Sequence, residues 1–220
     1  MNSLKNPDFD LSRRAMVDEQ LIPRDISDPL VLEAFRNVPR HEFVPQDLWQ
    51  SAYNDYPLPI GENQTISQPF MVALMTQYLK LKGSEKILEV GTGSGYQAAI
   101  LGSLAKEVYS IERFKGLADR AKKVFDLLGY GNVHIKVGDG TLGWSENAPY
   151  DGIIVTAFAP SIPESLVKQL KDGGRLIIPL DRGGFGQVLT LVERVVNSSR
   201  TSDICGCMFV PLVGKEGWPE

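Results

Sequence analysis

The chain has 220 residues, of which 43% are hydrophobic, 23% charged and 9% aromatic, the make-up of a folded chain able to bury a sizeable core, most simply as one domain. Disorder, collagen and coiled coil are excluded. With 23 Lys and Arg against 27 Asp and Glu the net charge is −4, which lacks the basic field of a dedicated nucleic-acid binder.

From about Asp10 to Leu81 the periodicity is helical. Val31, Leu32, Phe35 and Val38 make one apolar stripe, and Phe70, Ala73, Leu74, Tyr78 and Leu81 make another. Between them, VPRHEFVP and YPLPIGENQTISQP carry prolines at 39, 45, 57, 59 and 69 and Gly61, which predict a long irregular segment, often a functional one. From Lys86 the pattern changes to βαβ. The runs KILEV, VYSI, VHIKV, DGIIV and RLIIPL alternate with helices to about Leu104, over Phe114 to Leu128 and around Pro163 to Leu170. Near-continuous apolar strands of this kind belong in a parallel sheet covered on both faces. VLTLVERV and CMFVPLV, joined by the polar NSSRTSD, are predicted to form an antiparallel pair at the C-terminal end. The expectation is a single α/β domain, with a helical and loop extension over 1–82 and a core over 83–220.

The cysteines are too few, and the histidines too far apart, to frame a disulfide scaffold or a metal site. Cys205 and Cys207 are expected to be reduced strand residues; with His41 and His134 they offer no ligand spacing, so no metal is expected. His41, Trp49, Tyr53 and Tyr56 are read chiefly as packing. The first residues, MNSLKNPDFD, lack a basic patch followed by an apolar run, and no apolar stretch approaches the roughly 18 residues of a membrane helix. A cytoplasmic monomer acting on neither membrane nor nucleic acid is the expectation.

Chemistry concentrates where KILEV runs into EVGTGSGYQAAIL. Glycines 91, 93 and 95 form a turn between strand and helix, where backbone conformations barred to other residues and close ligand approach are needed. The spacing is GxGxG. It meets neither the dinucleotide fingerprint GxGxxG nor the phosphate loop GxxxxGK[ST]. Glu112 ends the second strand, seventeen residues after Gly95, where such folds put the carboxylate that takes ribose hydroxyls. Asp139 follows the third strand. Glu89, Glu112 and Asp139 are therefore expected to converge on one crevice. They would repel a pyrophosphate but suit a ribose, an adenine amino group, an ammonium and a sulfonium, and S-adenosyl-L-methionine has all four. The expected cofactor set is Glu89, Gly91, Thr92, Gly93, Gly95, Glu112, Arg113, Asp139 and Gly140. From residues alone, a transferase acting on another acceptor and a non-catalytic cofactor sensor stay open, although VTAFAP stands where an amino-directed nucleic-acid enzyme has an NPPY-like run.

The blocks VPRHEFVP, QTISQP, EVGTGSGYQAAIL, VYSIER, GDG and APYDGIIVTA resemble those of the protein-L-isoaspartate O-methyltransferases, over nearly the whole chain. The resemblance implies a Rossmann-like methyltransferase fold and transfer of the S-adenosyl-L-methionine methyl group, leaving S-adenosyl-L-homocysteine, to the free α-carboxylate of L-isoaspartyl residues in damaged proteins and peptides. Repair to aspartyl would follow through a succinimide. It implies that Ser67 is the active-site position, with Thr65, Ile66 and Gln68 lining the same substrate loop. Position alone also allows Ser67 to cap a helix beginning near Pro69. Two departures from the family pattern are Asn63, where a glycine is expected before QTIS, and Phe158, at a strand end near the expected crevice.

Overall fold

The computed structural model describes residues 8–196 and 198–219; the first seven residues of the expected extension and Asn197 of the NSSRTSD connection lie outside them. α1 (Phe9–Ala15) is capped by Asp8, whose carboxylate accepts from the amides of Asp10 and Leu11, and α2 (Pro29–Asn37) is capped by Asp28 in the same manner. The proline-rich stretch that follows holds two short 3₁₀ turns, Arg40–Phe43 and Gln46–Ser51. It also holds a hairpin not expected from the sequence, β1 (Leu58–Gly61) paired antiparallel with β2 (Gln64–Ile66). Glu62 and Asn63 both take φ of 53°, the left-handed pair a tight hairpin uses, so Asn63 fits without a glycine.

α3 (Pro69–Leu79) buries Val72, Ala73, Met75, Thr76 and Leu79. That face is rotated from the expected stripe. Phe70, Leu74 and Tyr78 are only partly buried, because the helix packs against both α2 and the sheet. The sheet is then built by β3 (Lys86–Val90), α4 (Tyr96–Gly102), β4 (Glu107–Glu112), α5 (Lys115–Leu128), β5 (Val133–Val137), β6 (Tyr150–Val155), α6 (Glu164–Gln169), β7 (Leu170–Asp181), β8 (Gln187–Val195) and β9 (Ser198–Cys207). Its order is β5-β4-β3-β6-β7-β8-β9. The first five strands are parallel, and β8 runs antiparallel to both its neighbours.

Side-chain alternation divides the interior into two cores. Ile87, Val108 and Ile154 face the N-terminal helices with α4 and α5, whereas Leu88, Ile111 and Ile153 face the side that holds Leu166 of α6. The antiparallel pair forms, with its second strand displaced from the expectation. Most of NSSRTSD is strand, as an exposed edge where polar side chains meet water on both faces. The apolar run after it leaves the sheet: Phe158 pairs with Pro211, and the amides of Phe158 and Leu212 bond to the carbonyls of Val210 and Phe158 at 2.8 Å each. Among the described residues no helix is long and apolar enough to cross a membrane.

Candidate active site

Parallel strands bring their carboxyl ends to one edge, and there β3 turns through its glycines. Gly91, Gly93 and Gly95 take φ of 96°, 54° and 93°, conformations that strain any residue with a Cβ. At Gly91 a Cβ would also collide with Thr156 Oγ1, which donates to the carbonyls of Val90 and Gly91 at 3.1 and 2.8 Å. The loop thereby borders an open cleft of about 800 Å³. Gly91, Thr92, Gly93, Glu112, Arg113 and Gly140 of the expected cofactor set line it, as do Thr65, Ile66 and Ser67 of the substrate loop.

Glu112 is the acid of the cleft. Its two carboxylate oxygens accept from the amides of Gly93 and Phe114 at 2.8 and 2.9 Å, which holds the side chain rigid and leaves each oxygen a lone pair for a further donor. Phe114, Ile111 and Val72 supply apolar wall. A carboxylate at the end of β4, apolar walls and a glycine loop without a phosphate-loop lysine fit a nucleoside that carries no phosphate and bears positive charge.

Glu89 and Asp139 do not join Glu112 at the cleft. Glu89 is fully buried beneath the loop, where it accepts from the Ser110 hydroxyl, and Ser110 in turn lies 2.5 Å from Thr92 Oγ1. Burial away from any bonded cation pushes its carboxyl up to about 8. Asp139 is turned toward the chain after β9. It accepts from Thr141 N and Oγ1 at 2.9 and 2.7 Å and from the amide of Lys215 at 2.8 Å. Burial opposes its ionisation, yet these bonds hold the carboxyl below its ordinary range. Gly95 is likewise not part of the lining: a Cβ there would meet Phe125 and Ala121 of α5, so this glycine serves helix packing.

On the acceptor side, Gln68 turns away from the cleft and donates to the Asp55 carbonyl and carboxylate at 3.1 and 2.9 Å. Ser67 is not a helix cap. The N-cap of α3 is Gln68, and no side chain bonds there. His41 lies in an aromatic cluster, stacked on Phe9 at 4.0 Å and bonded to the Tyr53 hydroxyl at 2.8 Å. The Phe158 ring packs on Trp218 at 5.5 Å instead of entering the cleft. Sequence reasoning missed Thr156, Ala157 and the segment Val210–Leu212–Val213, all of which line the cleft. The VTA after the fourth strand pointed to the first two, whereas the apolar run hid the third by reading as a strand.

Sheet order, glycine turn and the Glu112 carboxylate together define an α/β protein of the methyltransferase class. The family model described as Protein-L-isoaspartate(D-aspartate) O-methyltransferase matches residues 12–217. The chain is 55% identical over 213 residues to the Protein-L-isoaspartate O-methyltransferase of Syntrophotalea carbinolica, covering 97% of this chain and 98% of that one. With the enzyme of the same name from Geobacter metallireducens it shares 54% over 211 residues, covering 96% and 97%. A solved protein-L-isoaspartate O-methyltransferase superposes with a TM-score of 0.83 at 29% identity, over 93% of this chain and 67% of that one. A putative one from Plasmodium falciparum, in complex with S-adenosyl-L-homocysteine, gives 0.79 at 27% identity over 91% and 98%. The chain belongs to the protein-L-isoaspartate(D-aspartate) O-methyltransferase family.

Proposed function

We infer that the chain transfers the methyl group of S-adenosyl-L-methionine to the α-carboxylate of L-isoaspartyl residues in damaged proteins and peptides, which opens their return to aspartyl through a succinimide. The observation that carries this reading is one cleft lined both by Glu112 and the glycine loop and by Thr65, Ile66 and Ser67. The P. falciparum complex with S-adenosyl-L-homocysteine supports the cofactor. Gly91, Thr92, Gly93, Glu112, Arg113 and Gly140 would hold it, Glu112 by accepting from the ribose. When bound, the cofactor supplies an electrophilic methyl group on a sulfonium.

The chain's own task is then alignment. An α-carboxyl with a reference pKa of about 3.3–3.7 is already ionised at neutral pH, so no general base is needed. In keeping with this, the titratable groups of the lining are Glu112, Arg113 and Tyr96, and burial pushes the Tyr96 phenol up, away from neutrality. Ser67 would hold the carboxylate in line by its hydroxyl, and orientation of two bound reactants is worth several kcal/mol of barrier. In this reading residues 1–82 are the acceptor side of one domain, with the stretch from Tyr53 to Pro69 excluding water.

The test is transfer of labelled methyl to two matched peptides, one isoaspartyl and one aspartyl. Base-labile label on the isoaspartyl peptide alone is the expected result. Label on neither, with cofactor binding intact, overturns the reading.

A further inference from the structure

The proposed function leaves one motif without a task. Arg40, in VPRHEFVP, is fully buried, and no carboxylate is bonded to it among the described residues. Its Nε donates to the carbonyl of Ala52 at 2.7 Å and its Nη2 to the carbonyl of Ser67 at 2.8 Å. The guanidinium carbon lies 4.8 Å from the centre of the Tyr96 ring. Tyr96 opens α4 directly after Gly95. One side chain therefore joins the end of a 3₁₀ turn, the substrate loop and the helix that grows from the cofactor loop.

Burying a cation without a bonded anion is costly, and burial draws this guanidinium down to about 10, still charged at neutral pH. Asp55 attracts it without being bonded to it, so a direct ion pair does not account for the choice of residue. What arginine alone offers is a rigid planar fork that holds two carbonyls at a fixed spacing while its face rests on a ring. The next residue is fixed as well, through Gln68 and Asp55. The Ser67 hydroxyl, in contrast, has no protein partner among the described residues. The loop is pinned at its backbone and left uncommitted at the group that faces the acceptor.

We propose that Arg40 is a positioning residue for methyl transfer, fixing the Ser67 loop against the start of α4 and so setting where the acceptor carboxylate sits relative to the cofactor. This rests on the function inferred above. The experiment compares Arg40→Lys and Arg40→Gln, each alone and combined with Ser67→Ala. It follows kcat and KM for an isoaspartyl peptide and cofactor affinity by calorimetry. A displaced reacting pair loses on the order of 30- to 100-fold in kcat, and that loss is expected here with the cofactor Kd unchanged. Adding Ser67→Ala should cost no more than about threefold further, since groups acting through one contact are not additive.

Cofactor affinity that falls in step with kcat in both variants assigns Arg40 to folding alone and overturns the proposal. So does a double variant whose loss is the product of the single losses. A wild-type chain that labels no isoaspartyl peptide removes the functional reading, and the proposal with it. An active wild type with unaffected variants removes only the Arg40 assignment.

Discussion

The two walls of the cleft are made in opposite ways. The cofactor wall comes from strand ends and a glycine turn, and its shape is set by backbone bonds such as Gly91 N to the Ile111 carbonyl at 2.8 Å. The acceptor wall belongs to a segment that, between its helices, is irregular apart from the short ladder of β1 and β2, so the backbone groups this ladder does not pair need other partners. Side chains supply them: Arg40 serves Ala52 and Ser67, Arg120 serves Ile60, and Gln77 serves Ser27, Asp28 and Asp25. Regular structure can hold a ligand with few special side chains, whereas an irregular loop of equal precision needs buried polar residues spread along the chain.

That contrast can be broken most severely at Gly91. Gly91→Ala forces a side chain into φ of 96° and onto Thr156 Oγ1, and should cost roughly 2–4 kcal/mol of stability and abolish cofactor binding; chemical denaturation and calorimetry read both. Next comes Glu112→Ala, which orphans the amides of Gly93 and Phe114 as well as removing the ribose acceptor. A loss of about 1.5–3 kcal/mol, roughly 10- to 150-fold in cofactor Kd, is expected, and an unchanged Kd would refute the ribose assignment. Ser67→Ala acts on the other wall alone: kcat should fall about tenfold, near 1.4 kcal/mol, with cofactor affinity intact.

The smallest effect on the cleft itself is expected at Glu89, where the change is in how stability depends on pH. Its carboxyl titrates near 8 when folded against 4.5 ordinarily, so between those values the folded chain holds a proton that the unfolded chain has released. Stability therefore falls as pH rises through that window. Glu89→Gln keeps a neutral side chain in the folded chain and removes the ionisation that the unfolded wild type gains, so the variant should match the wild type near pH 4.5, gain on it as pH rises toward 8, and show a flattened decline across that window. Thermal unfolding across pH 5 to 9 gives the answer, and a variant with the wild-type slope would mean that Glu89 is ionised in the folded chain.

The parallel sheet was legible because KILEV, DGIIV and RLIIPL are apolar on both faces, and the glycine turn because its spacing is local. The hairpin at Leu58–Ile66 was hidden by Pro57 and Pro59 and by a Glu-Asn turn in place of Asn-Gly. β9 was hidden because an exposed edge needs no apolar residues. Position at a strand end located Glu89 and Asp139 but not their direction. For Asp139 the direction is set by Lys215, far along the chain, a tertiary contact that no local pattern encodes. The Arg40 fork is of the same kind: the motif stood out, but its partners Ala52 and Ser67 are joined to it only by folding.

The wall formed by Val210, Leu212 and Val213 is the last part of the cleft to be synthesised. Every strand of the sheet has already been translated before it appears, and Lys215 and Trp218, which tie the closing segment to Asp139 and to Phe158, come later still. A nascent chain with its sheet complete thus has the glycine loop and Glu112 in place but no finished cleft. The order of translation places competence for both ligands after the sheet is complete.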